Sequence, residues 1–225
     1  MPLLLAVLTV GLQISYPLLD GPARDHVTVA TVLAFLACSL SHAAQTQGRG
    51  WAARFLVITV GLAWAVEAIG VRTGFPFGAY TYTGGLGPAL LGVPVVVPLA
   101  WAMFGYVALV VGHALGRPVL AGAWALVSWD LFLDPQMVDA HHWRFAAGGV
   151  PLTNALGWTG VSLGLMTLLT RQRWTPARDG VPRALFLWTW LGSTLANVAF
   201  FDRPWVALSG GLAMGVVAVP LLVRR

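Results

Sequence analysis

The chain has 225 residues, 58% of them hydrophobic and only 9% charged, and its mean hydropathy is +0.78. A soluble domain carries roughly a quarter of its residues as Asp, Glu, Lys and Arg, so a water-soluble globule is excluded and an integral membrane protein is indicated. The net charge of +5 comes from arginines alone, scattered over short breaks without an aromatic-interleaved basic patch; this argues against nucleic acid as a partner and fits loops held on one face of a bilayer.

One composition regime runs from end to end, which predicts a single integral-membrane helical domain over residues 1–225. Each span needs about 20 mainly apolar residues. Apolar runs at 2–19, 27–44, 52–70, 89–115, 118–138, 151–170, 184–201 and 204–223 therefore predict an all-α, polytopic bundle of seven to eight transmembrane helices. The first run lacks a basic leader and a small-residue cleavage site, so it reads as a retained helix. Cys38 is the only cysteine, which excludes disulfide frameworks and cysteine metal clusters.

Two breaks are long. Residues 71–88 form a Gly/aromatic loop with glycines at 74, 78, 84, 85 and 87, whose unusual backbone angles suit a pocket wall. Residues 171–183 carry Arg171, Arg173, Arg178 and Arg183 and read as an ordinary charged cytoplasmic loop. With eight spans, the even loops and the C-terminus hold Arg49, Arg54, Arg117, those four, Arg224 and Arg225. The odd loops hold only Arg24, Arg72, Arg144 and Arg203. That asymmetry predicts cytoplasmic termini, with the plasma membrane as location. The acids lean the other way: Asp20, Asp25, Glu67, Asp130, Asp134, Asp139 and Asp202 all fall at the odd-loop ends. Asp20 and Asp25 merely tolerate that face. Glu67, Asp130 and Asp134 lie inside apolar runs, where a carboxyl is expensive and marks a polar cavity.

Asp130 and Asp134 stand one helical turn apart on one face, and Pro135 directly afterward predicts that the helix kinks or ends there. Two such carboxyls away from water suit a shared proton and general-acid chemistry. The competing reading has Asp130 paired to Arg72 or Arg144 and Asp134 capping a turn; likewise Glu67 could pair with Arg72. Glu67 leads into a loop that adds Thr73, Tyr80, Tyr82 and Thr83. His141 and His142 adjoin the acids, but no metal-binding spacing is present, so no metal is expected and a hydrogen-bonding or relay role is favoured. Asn154 and Asn197 are polar positions in apolar helices, either pocket donors or hydrogen-bond glue between helices. Trp101, Trp129, Trp143 and Trp158 are candidates to line an apolar ligand channel.

The block from Glu67 through Thr73, Phe77-Gly78, Tyr80 and Tyr82 to Gly92-Val93-Pro94 and Trp101 resembles the carotenoid biosynthesis family of CruF-type 1,2-hydratases. So does Asp130 to Asp134-Pro135, Trp143, Pro151, Asn154 and Gly157-Trp158. The resemblance covers roughly the middle forty per cent of the chain. It implies addition of water to the terminal 1,2 double bond of an acyclic carotenoid end, of lycopene, γ-carotene or bacterioruberin-precursor type, without a cofactor. It also implies a lipophilic carotenoid and the lipid bilayer as partners, beside other membrane enzymes of carotenoid synthesis. On this reading Asp130, Asp134 and Glu67 form the acid/base set. Thr73, Tyr80, Tyr82, Trp101, Trp129, His141, Trp143, Asn154 and Trp158 contact substrate. A carotenoid cyclase, a prenyltransferase-like enzyme using the single Asp130-x-x-x-Asp134 motif, and a proton-coupled carrier are the competing functions.

Overall fold

The computed structural model describes residues 1–223; Arg224 and Arg225, counted in the charge asymmetry, lie outside the described residues. It is an all-α membrane bundle. Eight α-helices follow in order: α1 Pro2–Ser15, α2 Gly21–Thr46, α3 Arg49–Thr73, α4 Val96–Ala114, α5 Pro118–Asp139, α6 Leu152–Leu169, α7 Gly180–Ala199 and α8 Pro204–Val223. Five of them (α2, α3, α4, α6 and α8) are long and apolar enough to cross a membrane. Prolines open α1, α2 and α5, where a missing N–H costs nothing. Gly74, left-handed at φ 77°, ends α3 with its N–H on the Gly70 carbonyl.

The centre is α4 with α5. In α4, 83% of the span is buried inside the protein, against 33–44% for the other four. The two helices meet almost backbone to backbone, since a Cβ on Gly112 would lie 2.7 Å from the Pro118 carbonyl. Small residues permit such approach where lipid supplies no hydrophobic drive. On α5's far side a Cβ on Gly210 of α8 would strike the Phe132 ring at 2.7 Å, and Trp124 donates to the Ala213 carbonyl at 2.7 Å. Because α5 is enclosed by neighbours, it tolerates carboxyls that a lipid-facing helix would not.

Two expectations change here. The helix runs through Pro135 to Asp139 instead of ending; a bundle interior lets neighbours re-satisfy the backbone group that proline frees. The run 89–115 is not one span: β2 Ala89–Leu90 pairs with β3 Val93–Pro94 before α4 begins. The hairpin turns at Leu91 and Gly92, both at positive φ (58° and 85°), the geometry of a tight two-residue hairpin loop. A second small sheet pairs β1 Tyr80–Tyr82 with β4 Trp143–Phe145, antiparallel, with Tyr80 opposite Phe145 and Tyr82 opposite Trp143. It stitches the Gly/aromatic loop to the segment after α5.

The 171–183 segment is more than a charged connection. Trp174 stacks on His113 (4.2 Å, 3°) and meets the edge of Trp51, while the Gln47 side chain both donates to and accepts from the Thr175 backbone. That end of the bundle is closed.

Candidate active site

The carboxyl site is assembled from α3, α5, α6 and the β1–β4 sheet. On β1, Tyr80 and Tyr82 share a face because strand side chains alternate. Both hydroxyls donate to Glu67 Oε2, at 2.5 and 2.8 Å, and the Trp101 indole N–H donates to Oε1 at 3.2 Å. Glu67 is 5% exposed and accepts from three donors on three different residues. Gly70, one turn on along α3, makes this possible: a Cβ there would sit 2.8 Å from the Tyr80 hydroxyl. Burial first, and the Glu67 charge next, push both phenols well above the usual tyrosine range, so they remain donors.

On α5, Asp130 and Asp134 are buried one helical turn apart, and Asp130 Oδ1 has no hydrogen-bond partner among the described residues. Asn154, at the start of α6, donates from its side-chain amide to both, at 3.0 Å to Asp130 Oδ2 and through a shorter contact to Asp134 Oδ2. Among the described residues no arginine pairs with Glu67, Asp130 or Asp134; Arg24, Arg183 and Arg203 pair instead with Asp20, Asp179 and Asp139. The two carboxyls are not equivalent. Asp134 borders a cavity of about 370 Å³, whereas Asp130 lies behind it.

Glu67, Tyr80, Tyr82, Trp101, Trp129, Trp143, Asn154 and Trp158 line the same cavity. Trp101 and Trp158 stack at 3.9 Å and 6°, Trp129 meets Trp158 edge-on at 6.2 Å, and Trp143 stands edge-on to Tyr82 at 5.8 Å. The result is an aromatic box with carboxyls on its wall.

Two expected contact residues lie elsewhere. Thr73 is exposed and spends its hydroxyl on the Ile69 carbonyl at 2.8 Å, closing the last turn of α3. His141 is exposed and borders a separate surface depression with Asp139 and Arg144. Its left-handed backbone (φ 58°) turns the chain off α5 and buries its neighbour His142 instead, with Nδ1 3.3 Å from the Gly84 carbonyl and Nε2 3.7 Å from Asp25. Neither histidine touches the carboxyl site, and among the described residues no three His, Cys, Asp or Glu side chains converge as a metal-holding group. Asn197 bonds back to the Ser193 carbonyl within α7, so its amide joins neither two helices nor the pocket lining. Phe77 and Phe145 also line the cavity, as do residues of α1, α2 and α7 that sequence reasoning passed over. Phe77 is seated by Gly157, where a Cβ would lie 2.8 Å from its ring and from the Pro76 carbonyl.

A family model described as "Carotenoid biosynthesis protein" matches residues 26–223. The chain belongs to this family. A bisanhydrobacterioruberin hydratase from Haloarcula japonica is 35% identical over 107 residues. That match covers 42% of this chain and 36% of the relative, so the shared segment spans about a third of the relative's length. No solved structure matches. The family match takes in α2 from His26 onward and α3 to α8, together with Glu67, Asp130 and Asp134.

Proposed function

We propose that this carotenoid biosynthesis protein is a hydratase that adds water to the terminal C1–C2 double bond of an acyclic carotenoid end. One observation carries the reading: Asp134, bridged to Asp130 by Asn154, and a separate carboxyl held by three donors line one apolar aromatic cavity inside a membrane bundle. The name of the Haloarcula japonica relative, a hydratase, agrees with it.

Two carboxyls one helical turn apart, bridged by one amide and shut from water, do not both ionise easily, so the pair keeps a proton, and Asp134 is the member that borders the cavity. Asp134 transfers it to C2, the less substituted carbon, whose new C–H bond takes the π electrons. The positive charge left on tertiary C1 is met by the faces of Trp101, Trp129 and Trp158, worth about 0.5–2 kcal/mol each when desolvated, and by the Glu67 anion. A water oxygen then bonds to C1, and the proton it loses returns to Asp134. Water is consumed, a tertiary alcohol forms, and the pair is restored without a net proton or electron. A diphosphate donor fits poorly, since no arginine lines the cavity among the described residues.

Expression in a host that accumulates acyclic carotenoids tests the proposal. Wild-type protein yields a more polar pigment heavier by one water, and Asp134→Asn yields none while its membrane level is unchanged. A new pigment of unchanged mass would point to cyclisation. Full activity in both Asp134→Asn and Asp130→Asn would sink the acid assignment.

A further inference from the structure

The cavity is not confined to the carboxyl box. It continues between α1 and α7, where Gln13, Ile14, Trp188, Gly192, Ser193 and Leu195 border it. Ile14 and Leu195 line this arm and are nevertheless 53% and 64% exposed on the outer surface of the bundle. A residue that borders the cavity and also faces outward marks a place where the cavity reaches the lipid. The two helices are tied there by the hydrogen bond from the Trp188 indole to Gln13 Oε1 at 2.9 Å, and just beyond their ends Tyr16 meets Phe201 edge-on at 6.0 Å. Between small side chains at Gly192 and Ser193 the α7 wall is thin.

We propose that the α1–α7 slit is the binding channel for the polyene chain of the substrate, whose reacting end lies in the carboxyl box while the remainder passes between these helices into the bilayer. This rests on the hydratase reading. The whole cavity, its α1–α7 arm included, is about 370 Å³, at the small end of ligand cavities, and a carotenoid is far longer than such a cavity, so its chain must leave through a wall. The α1–α7 wall carries the outward-facing lining residues Ile14 and Leu195. The Trp188–Gln13 bond sets the register of the two helices beside the channel. Length selection therefore resides in α7, away from the chemistry.

Gly192→Leu fills the channel without a backbone clash, because a Cβ at Gly192 makes only ordinary contact, at 3.6 Å or more, with the Trp188 ring. In lipid vesicles, turnover of a full-length acyclic carotenoid by this variant falls about tenfold or more, while a short acyclic isoprenoid bearing the same dimethylalkene end is turned over as by wild type. Equal loss of both activities, or loss of neither, overturns the channel. A second readout is independent of catalysis. In a Cys38→Ser background, Leu195→Cys reacts with a lipid-soluble maleimide and is protected by the full-length polyene but not by the short analogue. Absence of protection overturns the channel as well. Protection of Leu195→Cys by the full-length polyene, when the wild-type protein hydrates neither substrate, leaves the channel standing and refutes the hydratase reading instead.

Discussion

Asn154 is the residue on which the carboxyl pair depends. Its amide is the donor common to both aspartates, and a buried acceptor stripped of its donor loses about 1–3 kcal/mol. Asn154→Leu is therefore expected to slow turnover roughly tenfold to hundredfold at unchanged protein level; initial rates per membrane-inserted protein check this, and a wild-type rate would show that the pair orders itself without the amide. Tyr80 and Tyr82 give a different signature. Their folded values lie above the ordinary tyrosine value of about 10, so their neutral form favours the folded state. Their contribution is complete below that unfolded value and is lost only as pH rises through the higher folded values. Ultraviolet titration should show neither phenol ionising where free tyrosine does. If Tyr80→Phe and Tyr82→Phe each remove a phenolate signal near pH 10, the Glu67 cage is wrongly drawn.

The loop elements are placed by glycines. Gly70 admits the Tyr80 hydroxyl and Gly157 admits Phe77 with the Pro76 carbonyl, each at 2.8 Å from where a Cβ would stand. Gly157→Ala meets backbone, which cannot swing aside, so a loss of about 1–3 kcal/mol is expected. Gly70→Ala meets a side-chain hydroxyl, so it should cost less stability and more activity, by unseating Tyr80 from Glu67. Gly164 in the same α6 has nothing within 4 Å, and Gly164→Ala should be neutral or stabilising by up to about 1 kcal/mol. Thermal melts of the three variants order them, and equal melting temperatures would remove the close-packing account. The sequence makes some of this readable and hides the rest for physical reasons. Glu67, Asp130 and Asp134 stand out because charge in an apolar run is rare, and the glycines of 71–88 announce an irregular backbone. Which of His141 and His142 turns inward depends on a single left-handed residue, which no local pattern specifies. Pro135 predicts a break that tertiary enclosure overrides. The α1 and α7 lining is hidden most deeply, because an apolar side chain facing a ligand reads the same as one facing lipid.

At the scale of the whole molecule the carboxyl box lies toward one end of the bundle, and the Trp174–His113 and Gln47–Thr175 contacts close the other. The closed end carries Arg49, Arg54, Arg117, Arg171, Arg173, Arg178 and Arg183, and the site end only Arg24, Arg72, Arg144 and Arg203. Even without Arg224 and Arg225 the arginine excess therefore favours the closed end as cytoplasmic. A reporter inserted in the exposed 146–150 loop should then read as external, and one inserted between residues 175 and 178 as cytoplasmic. At 14 residues α1 is about 21 Å long, shorter than the roughly 30 Å hydrocarbon layer, so its own crossing is a separate question. A reporter at residue 1 answers it: a cytoplasmic reading means that α1 crosses with local thinning of the bilayer, which would suit a helix forming one lip of a lateral opening. An external reading with the two loops unchanged would leave α1 as a half-span wedge against α2 and α7. Reversal of both loop reporters would invert the molecule and place the carboxyl box at the cytoplasmic face.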